Sequence, residues 1–172
     1  MLQQVFNSIY KDKKDWLGIS QGRHLEDRLE EELRKNNFIP LRWKLIENEV
    51  SAKQDKKQWK ILKKQVLSKD NSELIRNNFS SFTHNTYFRS PYGSQNYPDF
   101  LVFTSKFIIP IEVKASTKEG IKPMWNSHLP KTNGLYIFAS FGKKDITFFR
   151  GSDVIEEKLS IQLWNFFEKV KK

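Results

Sequence analysis

Three residues of this chain have types and spacing that suit phosphate chemistry: Asp99, Glu112 and Lys114. Asp99 opens the run Tyr97-Pro98-Asp99-Phe100-Leu101-Val102-Phe103, and Glu112 and Lys114 close the run Phe107-Ile108-Ile109-Pro110-Ile111-Glu112-Val113-Lys114. Both runs read as strands, joined by Thr104-Ser105-Lys106 as a short hairpin loop. A hard divalent cation prefers carboxylate oxygens from separate backbone segments, and a neighbouring ammonium can orient a water and offset charge on a phosphate under attack.

Side chains alternate across a strand, so Glu112 and Lys114 are expected on one face and Phe107, Ile109, Ile111 and Val113 on the other. The second face is apolar and predicts core; the first predicts a site. Charges at alternating positions after such an apolar run need a partner if they are buried, and a metal ion would supply one. The alternative is an ordinary hairpin whose Glu112 and Lys114 make a surface pair. Pro110 lies inside the strand that carries Glu112, and because proline removes a ladder donor, a bulge or an unpaired stretch is expected there.

These residues resemble the motif of the PD-(D/E)XK nuclease superfamily, which includes most type II restriction endonucleases and archaeal-type Holliday junction resolvases. The resemblance covers about residues 79–150 as strand order and four residues as motif. It implies an α/β (α+β) fold with a restriction-endonuclease-like core, a central mixed β-sheet of four to five strands flanked by helices. It also implies Asp99 and Glu112 as metal-binding carboxylates, the Val113 backbone carbonyl as a further ligand, and Lys114 as the catalytic lysine. The implied cofactor is Mg²⁺, one or two ions per site.

At 172 residues the chain is expected to be a single domain. It has no cysteine, which excludes disulfides, thiolate metal sites and a cysteine nucleophile, and His24, His84 and His128 lack zinc-ligand spacing. No apolar stretch approaches the ~20 residues of a membrane span, and residues 1–6 lack a signal-peptide pattern, so a cytoplasmic protein is expected. A net charge of +10 and a pI near 9.7 favour a polyanionic partner, although solvated lysine faces produce the same balance.

Around this hairpin, 21–37 reads as a helix with Leu25, Leu29 and Leu33 on one stripe. At about 100° per residue Glu26 falls just beside that stripe and Glu30 further round. Glu26, and after it Glu30, resembles the glutamate that the superfamily's first core helix often brings near the metal; a solvated acidic face is the alternative. Residues 51–68 predict a second helix with Lys53, Lys57, Lys60 and Lys64 along one stripe and Trp59, Leu62 and Val66 opposite. That lysine stripe suits DNA phosphates or, equally, a soluble surface. The region 38–78 reads as a Lys-rich helical insertion.

Residues 79–89 predict a strand ending at the turn Ser90-Pro91-Tyr92-Gly93, 134–140 a buried strand, 145–150 another, and 159–170 an amphipathic helix that covers the sheet or meets a second subunit. The polar stretch 116–133 leaves directly from the Glu112 strand and is expected at the mouth of the site. Its Lys118, Lys122, Asn126, Ser127, His128 and Lys131 are candidate DNA contacts, and Trp125 is either a contact or a packed anchor.

The resulting expectation is a Mg²⁺-dependent endonuclease on double-stranded DNA, most like a type II restriction enzyme. It would act as a homodimer on a short palindromic site beside a companion DNA methyltransferase. A structure-selective nuclease such as a junction resolvase, and a non-catalytic nucleic-acid-binding domain with a structural ion-pair cluster, are the alternatives.

Overall fold

The computed structural model describes residues 1–18, 23–41, 53–68, 73–79, 84–116, 123, 125 and 129–170, and no side chain at 23, 53–56, 168 or 170. The molecule is a mixed α/β fold built on one seven-stranded mixed sheet. Its helices are α1 (Leu2–Lys11), α2 (Lys13–Leu17), α3 (Arg23–Lys35), α4 (Lys53–Leu67) and α5 (Glu157–Val170). Its strands are β1 (Ile39–Pro40), β2 (Ile75–Arg76), β3 (Thr86–Arg89), β4 (Phe100–Phe103), β5 (Phe107–Ser116), β6 (Leu135–Ser140) and β7 (Asp145–Arg150). The order is β1-β3-β4-β5-β6-β7, with β2 on β5. β1/β3 and β5/β6 are parallel and the other pairs antiparallel.

The expected four or five strands become seven because β1 and β2 are two residues each, too short for a period-two signal. Both come from 38–78, so that segment is more than a helical insertion: β1 pairs with β3, β2 pairs with β5, and α4 covers one face of the sheet. Two amino-terminal helices also come in addition to the expected elements. Their signal is present in Leu2, Val5, Phe6 and Ile9, which fall on one face of α1 at helical spacing and bury Val5 and Ile9.

The core is split by the sheet. On one face α1, α2 and α3 bury Ile9, Trp16, Leu25 and Leu29 against Phe100, Val102, Ile111 and Ile137. On the other, Leu62 and Val66 of α4 pack on Phe88, Leu101, Phe103 and Ile108. β4 is therefore covered on both sides, which is why its sequence is an unbroken apolar run. Each such fully buried side chain contributes about 1.5–3 kcal/mol.

Glu112 shares its face of β5 with Ile108 and Pro110, so the face expected to be a site is core under α4 at first and opens only at Glu112 and Lys114. Pro110 is accommodated without a bulge. Thr104 donates its amide to the Phe107 carbonyl at 2.8 Å, and alternation along an antiparallel ladder then makes the Leu101–Pro110 pair a non-bonded one. The missing N–H of Pro110 thus points away from β4. On that other edge β2 pairs only as far as Ile108 and β6 begins at Ile111, so among the described residues no ladder needs the donor.

Candidate functional site

Asp99 lies one residue before β4, opposite Glu112 when the β4–β5 register is extended by one pair. The two are tied by the backbone. The Asp99 amide donates to Glu112 Oε2 at 3.2 Å, and the Val113 amide donates to Asp99 Oδ2 at 2.7 Å. Lys114 Nζ donates to Glu112 Oε1 at 2.7 Å. The hairpin therefore brings Asp99, Glu112, Val113 and Lys114 together, in a half-sunken cluster in which Glu112 is only 9% exposed rather than in the alternative surface pair.

Burial and the adjacent Glu112 charge push the Asp99 carboxyl up to about 7, with Glu26 adding to the rise and the Val113 amide and Lys114 opposing it. A carboxyl so perturbed in a cleft, by burial and a specific charge partner, marks a candidate functional site.

These residues line a cavity of about 300 Å³ that also takes Glu26, Trp125, Lys131 and Tyr136. Glu26 borders it from α3, on the flank of the leucine stripe, and Arg89 Nη2 holds its Oε2 at 3.4 Å. Glu30, the second choice, shares Arg89 with Glu26 but is not among the residues that line the cavity. It accepts from Arg89 Nη1 at 2.8 Å, from the Tyr87 hydroxyl at 2.9 Å and from Arg34 Nη2 at 2.7 Å. Burial works to raise the Glu30 carboxyl, but these donors outweigh it and hold it below the usual range.

Of the lysine stripe on α4, Lys57, Lys60 and Lys64 are exposed, while the side chain of Lys53 lies outside the described residues. Lys118, Lys122, Asn126, Ser127 and His128 also lie outside them. Lys131 is half-buried at the cavity, and Trp125 stands edge-on to Tyr136, with ring centroids 5.2 Å apart.

The structure adds aromatic residues that the motif does not contain. Tyr97, just before Pro98-Asp99, stacks on Tyr136, which stacks on Phe149, and burial raises both hydroxyls well above the ordinary tyrosine range. They form a rigid wall beside the carboxylates. Position 97 was legible as part of a strand-like run, but its partner Tyr136 is distant in sequence.

Among the described residues no three histidine, aspartate or glutamate side chains are gathered closely enough to hold a metal ion by themselves. The donor set of Asp99, Glu112 and the Val113 carbonyl still fits Mg²⁺, which binds through one or two carboxylates and keeps several waters. Asp99 Oδ1 has no hydrogen-bond donor among the described residues, and a cation there would relieve the repulsion from Glu112 that, after burial, raises its carboxyl. The chain matches no family model, no curated protein and no solved structure.

Proposed function

We propose that this protein is a Mg²⁺-dependent endonuclease of the PD-(D/E)XK kind, hydrolysing phosphodiester bonds in double-stranded DNA as a type II restriction enzyme. The observation that carries this reading is the reciprocal bonding of Asp99 and the Glu112–Val113 segment across one hairpin, with Lys114 2.7 Å from Glu112. The position of that hairpin inside a mixed sheet flanked by helices supports a restriction-endonuclease-like core.

In this mechanism Asp99, Glu112 and the Val113 carbonyl would hold the metal, with Glu26 available from α3. The chemistry supplied there by Mg²⁺ would be polarisation of the scissile phosphate and a lowered pKa for a bound water. Lys114 positions the attacking water and offsets the charge developing on the phosphate. The wall of Tyr97 and Tyr136 restricts solvent on one side of the site. A homodimer brings two such sites to two strands, and a methyltransferase acting on the same sequence protects the host DNA.

The test is plasmid DNA incubated with Mg²⁺. Discrete fragments that disappear with Asp99→Ala and with Lys114→Ala support the reading, and intact DNA across many sequences overturns it.

The Lys114–Glu112 pair also favours a second reading, a non-catalytic DNA-binding domain with a structural ion pair. Such a domain is indifferent to Mg²⁺, whereas a metal site gains thermal stability from it.

A further inference from the structure

A second cavity, of about 240 Å³, adjoins the carboxylate site and shares Gln95, Asn96, Tyr97 and Lys131 with it. Its chemistry is the reverse of its neighbour's. Lys63 and Lys131 stand on it with Tyr92 and Trp164, and no carboxylate is among its described lining residues. The carboxylate site, in contrast, sets Glu26, Asp99 and Glu112 against Lys114 and Lys131.

Each ammonium group stands against an aromatic ring of this cavity. Lys63 Nζ lies 5.3 Å from the centre of the Tyr92 ring. Lys131 Nζ lies 4.7 Å from the centre of the Trp164 ring and donates to the Leu67 carbonyl at 3.0 Å. Lys63 and Lys131 bring two positive charges to a cavity with no carboxylate among its described lining residues. A charge-assisted hydrogen bond to an anion gains about 1.5–3 kcal/mol, more than the about 0.5–1 kcal/mol of the exposed Lys63–Tyr92 contact. A phosphate therefore fits this cavity, while the carboxylate site repels one unless a cation intervenes. Tyr92 and Trp164 add apolar lining that can meet a sugar, and the Gln95 amide can meet a base edge.

We propose that this second cavity seats the nucleotide adjoining the scissile phosphate of a bound DNA strand, with its phosphate on Lys63 and Lys131. The assignment rests on the nuclease reading for its register, since the shared residues join it to the cutting site.

Fluorescence anisotropy with a labelled duplex oligonucleotide in Ca²⁺, over a range of salt concentrations, tests it. Lys63→Gln and Lys131→Gln are each expected to weaken binding about 3- to 10-fold and to reduce the slope of log K against log salt by about 0.9, the signature of one lost phosphate contact. Lys131→Arg should retain the wild-type slope, which separates charge from any structural part Lys131 plays at Leu67. Lys106→Gln, on the exposed hairpin loop, serves as the control. Wild-type slopes in both glutamine variants, losses no larger than the control's, or no duplex binding by the wild type would overturn the proposal. Cleavage is read separately on plasmid with Mg²⁺. Uncut plasmid together with the expected slope changes sinks the nuclease reading and leaves this cavity as a DNA-binding site.

Discussion

Asp99 and Glu112 face each other across the β4–β5 hairpin, and each is held by main chain: Asp99 N–H on Glu112 Oε2, and Val113 N–H on Asp99 Oδ2. Two carboxylates in one small, partly buried volume repel, and the fold supports the arrangement with backbone donors that cannot swing away. Lys114 is the neighbouring cation on Glu112, while burial and, after it, the Glu112 charge raise the Asp99 carboxyl.

That rise makes stability depend on pH in a definite direction. The Asp99 carboxyl titrates near 7 in the folded chain and near 3.9 in an unfolded one, so the native state holds a proton that the unfolded state has released. The contribution is fully present below about pH 4 and is lost as pH rises through 7. Asp99→Asn should flatten the fall in thermal stability between about pH 4 and 7 in metal-free buffer, and at neutral pH should be more stable than wild type by on the order of 2 kcal/mol. Superimposable pH profiles of the two proteins in calorimetry would contradict this.

Divalent metal should act on the same charge. Adding Mg²⁺ or Ca²⁺ at neutral pH is expected to raise the melting temperature, by the equivalent of about 2.7 kcal/mol at a hundredfold excess over the dissociation constant. The gain should vanish in Asp99→Asn and in Glu112→Gln. A gain of equal size in both variants places the metal elsewhere.

Arg89 joins β3 to α3 through Glu26, Asp27 and Glu30. Its planar fork serves several carboxylates, so Arg89→Ala leaves Glu30 with fewer donors in a half-buried place and should cost about 1–2 kcal/mol in urea denaturation. Arg89→Lys should recover only part of that, because a single ammonium cannot reproduce the fork. Full recovery with lysine would show that only the charge matters.

Gly134 sits where an added Cβ collides with the Tyr97 hydroxyl and comes within 3.2 Å of the Lys131 carbonyl. Gly134→Ala should cost about 1–3 kcal/mol by overpacking. Because Tyr97 is two residues from Asp99, it should also weaken the Mg²⁺-dependent gain in melting temperature. Leu62→Ala, in the cluster under α4, should lose stability without that second effect. Equal metal responses in the two variants would separate Tyr97 from the site.

The elements nearest the candidate site were the most legible in the sequence, because their signals are local. Strand, turn and strand over 97–114 are written in apolar runs and a polar loop, and α3 and α4 in leucine and lysine stripes at helical spacing. The side of β5 that carries Glu112 and Lys114 follows from alternation alone. β1 and β2 escaped, since two residues carry no period and pair only because long-range packing holds them at the sheet.

What the tertiary structure decided is which charges meet. Glu26 and Glu30 are one helical turn apart on α3; Arg89 of β3 binds both, the Tyr87 hydroxyl and Arg34 bind Glu30, and of the two it is Glu26 that lines the cavity. Pro110 is harmless because its missing donor falls in the gap between β2 and β6, a fact of strand order. Likewise Tyr97 meets Tyr136, and Lys63 and Lys131 come to stand on one cavity. Periodicity determines the face a side chain takes on its own element; partners across elements depend on how the chain returns, which is set by the summed packing of the whole core.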